Sequence, residues 1–188
     1  KENQSVLDIG CGWGGMASHI YKKSNASVVG VTLSEEQIAY AQQRKVREKL
    51  DKVEYRLQDY RNVNEKYDRI VSVGMFEHVG TAHYQEFFNK VYDLLNDSGV
   101  ALIHTIGRLN EPGNTDPWID KYIFPGGYIP ALSETVSRVE KSGLSLTDVQ
   151  ILKFHYAETL KRWRYNFYDN IDKVKEIYDD KFCRMWDF

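Results

Sequence analysis

Residues Val6-Leu7-Asp8-Ile9-Gly10-Cys11-Gly12-Trp13-Gly14-Gly15 constrain the fold of this chain more than any other stretch. An apolar run reaches an acidic residue, breaks into closely spaced glycines and passes into a helical pattern from Met16 to Lys22. That order predicts a buried strand, a tight turn and a helix N-terminus, where a nucleotide-like ligand lies against bare backbone. The spacing D-x-G-x-G-x-G differs from the dinucleotide fingerprint G-x-G-x-x-G, and no basic residue in the turn invites a polyphosphate.

The rest of the chain repeats the strand-then-helix pattern, which predicts βαβ units around a mostly parallel sheet with helices on both faces, an α/β class. Strands are expected at Ser5 to Ile9, Ser27 to Val31, Val53 to Leu57, Tyr67 to Val73, Val100 to Thr105 and, sixth, Leu144 to Leu152. Helices are expected from Gly14 to Lys22, from Ser34 to about Lys49, from Ala82 to Leu95 and from a cap at Ser133 to Ser142. Two more are expected from Ala157 to Tyr168 and from Ile171 to Trp186. Ser34 with Gln37 makes a capping box, and Asn96-Asp97-Ser98-Gly99 reads as a turn. The connection Gly107 to Pro130 is too long and too aromatic for an idle loop, and its end reads as a lid or pocket wall.

No repeat or linker divides the 188 residues, so one domain is expected. The balance of 25 basic against 27 acidic residues gives no drive toward nucleic acid. The two cysteines, Cys11 and Cys183, lie far apart with no metal-ligand spacing, which points to a reduced, cytoplasmic chain with no metal site. Cys11 reads as a small buried filler. No apolar run is long enough to span a bilayer. The start beside the first strand and the aromatic end at Phe188 suggest a fragment cut at both termini.

The glycine turn resembles motif I of the S-adenosylmethionine (SAM) methyltransferases, which implies a Rossmann-like fold with SAM at the carboxyl ends of the strands. Gly10, Gly12, Trp13 and Gly14 would admit the methionine and ribose portions, with Asp8 fixing the turn or reaching the ligand through water. After strand two, Thr32, Leu33 and Ser34 stand where an acidic residue is usual, and Gln37 is the candidate for the ribose hydroxyls. Its other reading is the capping-box partner alone. Gln58, Asp59 and Tyr60 would frame the adenine, although Asp59 could instead cap a turn.

Further motifs narrow the resemblance. Leu7 to Gly14, Gly30-Val31-Thr32-Leu33-Ser34, Met75-Phe76-Glu77-His78-Val79-Gly80, His104-Thr105-Ile106-Gly107 and Tyr122-Ile123-Phe124-Pro125-Gly126-Gly127 together resemble the cyclopropane-fatty-acyl-phospholipid and mycolic acid cyclopropane synthases. The resemblance implies methylene transfer from SAM to a cis double bond of an unsaturated phospholipid acyl chain, through a carbocation. Such a site must be dry, lined with electron-rich faces and equipped with a base. Trp13, Phe76, Tyr122, Phe124 and Tyr128 are candidates for the lining, against the plainer reading of core aromatics.

In the family the base resembles a bound bicarbonate, which carries over to Glu77, His104, the backbone of Ile106, and Tyr156. Glu77 could instead be a helix-start carboxylate, and His104 a core histidine. The resemblance also implies an N-terminal helical segment and C-terminal strands beyond this chain. Peripheral contact with the inner face of the membrane is expected near the aromatic loop and near Lys161, Arg162 and Arg164 around Trp163, although a solvated helix face explains those basic residues equally well. Two other readings stay open: a SAM-dependent N-methyltransferase of a small amine or phospholipid head group, and a SAM-binding fragment without catalysis. The oligomeric state is not readable.

Overall fold

The computed structural model describes residues 2–188. It comprises two compact units, one running to Leu146 and the other Thr147–Phe188. In the first, strands β1 (Ser5–Ile9), β2 (Ser27–Thr32), β3 (Val53–Leu57), β4 (Tyr67–Val73) and β5 (Leu95–His104) form one sheet in the order β3-β2-β1-β4-β5. Every neighbouring pair is parallel. Helices α1 (Gly15–Ser24), α2 (Glu35–Glu48) and α3 (Tyr84–Leu94) lie on the crossovers. The chain winds outward from β1 to β3 and then returns to the other side of β1, so strand order switches between β1 and β4. A ligand crevice forms at the carboxyl ends of the strands at such a switch.

Both faces of the sheet carry a core, as in parallel sheets generally, but β5 leaves Val100 and Leu102 exposed on one face. Leu7 and Ile9 join Ile70, Phe76, Phe87 and Leu94 in one core, and Val6 joins Val28, Val53, Ala17 and Leu50 in the other. Side chains alternate along a strand, so Asp8 falls on the Val6 face, the side covered by α1. Gly30, mid-β2, allows close packing: a Cβ there would stand 2.8 Å from the Cβ of Cys11. Cys11 is indeed buried, and burial with the nearby Asp8 charge pushes its thiol up to about 12, which leaves it inert.

After β5 come α4 (Pro117–Tyr122) and α5 (Leu132–Glu140). Asp116 caps α4 by accepting from the N–H of Trp118 at 2.8 Å, with Pro117 at the position where a missing N–H does no harm. The second unit consists of α6 (Lys153–Asp169), α7 (Ile171–Ile177) and α8 (Asp180–Asp187). The rings of Tyr178 and Phe182 stack there at 4.0 Å. Among the described residues no helix is long and apolar enough to cross a membrane.

Several expected elements differ. Leu144 to Leu152 is not a strand, because an apolar run becomes one only where a neighbouring backbone pairs with it, and none of the described residues does. The residues Asn96 to Gly99 lie inside β5, where the ladder with β4 slips between Tyr67 and Arg69, rather than in a free turn. The α5 cap falls at Ala131 instead of Ser133, and the Glu134 carboxylate accepts from the Ala131 N–H at 2.9 Å. The helix expected over Ile171 to Trp186 is two helices, because the Asp179 side chain accepts from the Phe182 N–H at 2.7 Å and starts a new one. Helix α6 begins at Lys153, a turn before the expected Ala157.

Candidate functional site

The turn after β1 is glycine-dependent at each of its expected positions. Gly10, Gly12 and Gly14 have φ of 77°, 53° and 77°. The N–H groups of Gly10 and Cys11 both donate to the Val31 carbonyl at 3.0 Å, which ties the turn to β2. A Cβ on Gly10 would lie 2.7 Å from the Cβ of Met75, so the turns after β1 and β4 meet with no room for a side chain. A Cβ on Gly14 would strike the Tyr55 ring, whose hydroxyl donates to the Gly14 carbonyl at 2.9 Å. Gly14 is the left-handed N-cap of α1 and brings no side-chain cap, so the first turn keeps its N–H groups for other partners. Trp13 is exposed and meets Tyr40 edge-on at 5.5 Å.

Four glycines of positive φ face open space: Gly12, Gly74, Gly80 and Gly126. A Cβ on Gly12 or on Gly74 would find no atom within 4 Å, although both have positive φ. They stand after β1 and β4, the two strands that flank the switch in order.

Asp8 lies beneath this turn with only 2% of its surface exposed. Its Oδ2 has no hydrogen-bond partner. Burial pushes the carboxyl up to about 7, and an N–H from Ala17 only partly offsets this.

At the end of β2 the expected capping box is half formed. Ser34 Oγ accepts from the Gln37 N–H at 3.2 Å, but the Ser34 N–H donates to Thr32 Oγ1 at 3.3 Å rather than to the Gln37 side chain. Thr32 in turn donates to Gln37 Oε1 at 2.7 Å. Gln37 is thereby freed from the cap and anchored to β2, while Leu33 stands exposed beside it. After β3, Asp59 accepts from the Arg61 N–H at 2.9 Å and takes the Arg61 guanidinium at 2.6 Å, which is the turn-capping role. Arg61 holds its carboxyl below the usual range. Gln58 donates to the Asn62 carbonyl at 3.0 Å, and Tyr60 packs edge-on against Phe87.

Beyond β4, Glu77 sits in the short turn Phe76–His78. Its Oε1 accepts from the Ile106 N–H at 2.7 Å, and its carbonyl accepts from the Tyr128 N–H at 3.1 Å. Its Oε2 is buried with no partner. Glu77 thus joins the turn after β4, the segment after β5 and the aromatic connection. His104 ends β5 opposite Val73, its carbonyl accepting from the Gly74 N–H at 3.1 Å, and its ring is exposed rather than in the core. Phe76 does not line the site: it is fully buried and stacks on Tyr84 at 4.2 Å. Tyr122 and Phe124 are exposed. The connection carrying them is tied down, with Arg108 Nε donating to the Ile129 carbonyl at 2.9 Å and Thr115 to the Gly127 carbonyl at 2.9 Å.

The first unit therefore carries the glycine turn, Gly74, Glu77 and Ile106 at the carboxyl ends of β1, β4 and β5. Tyr156 belongs to the second unit, on α6, where its ring meets Trp163 at 6.5 Å. Gly74 follows β4 directly and heads the segment that carries Glu77.

The family model of mycolic acid cyclopropane synthetase matches residues 1–188. The chain belongs to this family. It is 42% identical over 188 residues to the cyclopropane-fatty-acyl-phospholipid synthase of Escherichia coli (strain K12), a match that takes in 100% of this chain and 48% of that protein. The chain thus spans about half the length of the curated relatives it matches. The cyclopropane synthase MmaA2 from Mycobacterium tuberculosis superposes with a TM-score of 0.87 at 31% identity, over 100% of this chain and 70% of that one. A structure of mycolic acid cyclopropane synthase CmaA1 complexed with SAH and CTAB gives 0.88 at 32% identity, with the same coverage. The sheet is the Rossmann-like fold of SAM-dependent methyltransferases.

Proposed function

We propose that the chain carries the SAM-binding and methylene-transfer site of a synthase that converts a cis double bond of an unsaturated phospholipid acyl chain into a cyclopropane ring. Two observations test the fit of the implied groups. Gly12 and Gly74 leave open a cradle that any Cβ would enter, which suits a nucleoside laid against backbone. Glu77 offers a buried, unpartnered Oε2, which suits an acceptor waiting for a hydroxyl donor. Bound SAM would supply an electrophilic methyl group, and bound bicarbonate a base.

The residues divide the remaining work. Asp8, the Gly10-to-Gly14 turn and Trp13 would hold the methionine and ribose portions. Thr32, Leu33, Ser34 and Gln37 would serve the ribose, and Gln58, Asp59 and Tyr60 the adenine. Gln37 suits the hydroxyls because Thr32 fixes its amide, leaving the NH₂ as donor. Glu77 Oε2 would accept a hydrogen bond from the bicarbonate hydroxyl and orient the anion, and His104 would donate to its other oxygens. Ile106 enters through Glu77: its N–H is committed to Oε1, so it aims the carboxylate rather than meeting the anion directly. Tyr156 is carried into the proposal by its place in the family pattern. Trp13, Tyr122 and Phe124 present exposed aromatic faces to stabilise positive charge, at ~0.5–2 kcal/mol per ring. Peripheral membrane contact completes the reading, since an acyl chain must reach the site from a bilayer.

The buried, half-used Glu77 carboxylate carries this reading. Transfer of label from methyl-labelled SAM to dioleoyl phospholipid vesicles tests it. Label should appear in the acyl chain and fall when dissolved bicarbonate is removed, and Glu77→Gln should lower the rate about a hundredfold or more. Transfer to head-group amines instead, or an unchanged Glu77→Gln rate, would overturn it.

A further inference from the structure

Glu77 is held from both ends of the aromatic connection. The Ile106 N–H, just before it, donates to Glu77 Oε1, and the Tyr128 N–H, near its close, donates to the Glu77 carbonyl. One residue joins those two ends. The Arg108 N–H donates to the Pro130 carbonyl at 3.0 Å, and Arg108 Nε to the Ile129 carbonyl at 2.9 Å. A third contact, from Arg108 Nη2 to the Asn114 carbonyl at 3.0 Å, grips the middle of the connection. The direction of the free Glu77 oxygen therefore depends on how this junction is set.

Side chains set it. The Arg108 guanidinium stands 5.7 Å from the centre of the Tyr128 ring, a cation–π distance. The Tyr128 hydroxyl lies 3.0 Å from each carboxylate oxygen of Glu134, and Glu134 also accepts from the Ala131 N–H at the start of α5. Burial and the Glu134 carboxylate hold the phenol above its usual range, so it stays a donor. Arg108, Tyr128 and Glu134 are all half-buried, where such contacts are worth more than on an open surface. A guanidinium, a phenol and a carboxylate thus run in series from the first end of the connection, through its last, to α5.

We propose that Arg108, Tyr128 and Glu134 are positioning residues of the methylene-transfer site, which fix the junction of the connection and through it the aim of the Glu77 carboxylate. The inference rests on the role proposed above for Glu77. A supporting shell of this kind holds an acceptor in place, and a displacement of about 1 Å there costs up to about a hundredfold in rate.

Label transfer from methyl-labelled SAM to dioleoyl phospholipid vesicles, followed across bicarbonate concentrations, tests the inference on the full chain. Tyr128→Phe removes only the hydroxyl. It should lower kcat about tenfold and raise the bicarbonate concentration for half-maximal rate several-fold, with SAM affinity by calorimetry unchanged. In the Glu77→Gln background the same substitution should cost less than about twofold more, since both act through one carboxylate. Arg108→Met should follow the same pattern; should it fail to fold, Tyr128→Phe decides alone. A clasp that served only stability would lower the melting temperature and leave the bicarbonate requirement where it was. A wild type that labels acyl chains, with kcat and bicarbonate requirement unmoved by Tyr128→Phe, would overturn this inference and spare the methylene-transfer reading. So would a full tenfold further loss in Glu77→Gln. A wild type that puts no label into acyl chains would overturn that reading, and this inference with it.

Discussion

Replacing Asp8 with Asn should stabilise this chain at alkaline pH, even though the residue lies under the glycine turn. Burial raises the carboxyl from its ordinary 3.8 to about 7, so the folded state holds the proton more tightly than the unfolded state. The stability linked to this proton is fully present below 3.8, falls as pH rises, and is gone above about 7. A rise of that size is worth about 4 kcal/mol at ~1.4 kcal/mol per pH unit. The Asn amide introduces buried polar groups of its own, at about 1–3 kcal/mol. The net gain at pH 8 is then about 1–3 kcal/mol, or roughly 3–10 °C in Tm for a chain of this size. Urea melts of both proteins across pH provide the assay. The advantage of the variant should shrink by about 2–3 kcal/mol between pH 8 and pH 5, because the wild-type proton returns over that range. Parallel stability curves across that range, or a variant less stable at pH 8, would refute the buried-charge account. If the carboxylate is retained for the cofactor, the same variant should also bind SAM more weakly.

Gly10→Ala should destabilise the fold by about 2–4 kcal/mol, since positive φ and the clash with Met75 act together; thermal melts would show it. Ser34→Ala should cost about 1 kcal/mol through loss of the α2 cap, read by urea denaturation. Thr32→Val should release Gln37 and weaken SAM binding several-fold while leaving that cap in place, a difference that titration and melting report separately.

The strand-glycine-helix segment was legible because each of its parts has a backbone requirement: Gly10 has no room for a Cβ, and Gly14 takes the left-handed cap. The parallel strands β1 to β4 were legible for the same reason, as apolar runs closed by turns. Leu144 to Leu152 misled because alternation records which side chains can be buried, not whether a partner backbone is present. Asp59 and Gln37 show the converse: local polar partners such as Arg61 and Thr32 decide what a side chain does, and spacing alone leaves several partners open. Asp179, by contrast, stood in the sequence as a plain N-cap signal and could have divided the last helix.

The central claim is that the open surface at Gly12 and Gly74, at the carboxyl ends of β1 and β4, holds SAM. Calorimetric titration of SAM onto the wild type and Gly74→Ala tests it most directly. The Ala side chain meets no protein atom within 4 Å, so the variant should stay folded at about 1–2 kcal/mol of backbone strain. The account predicts saturable binding to the wild type and at least about a tenfold loss in the variant. Equal affinity for the two folded proteins would place the cofactor elsewhere and contradict it.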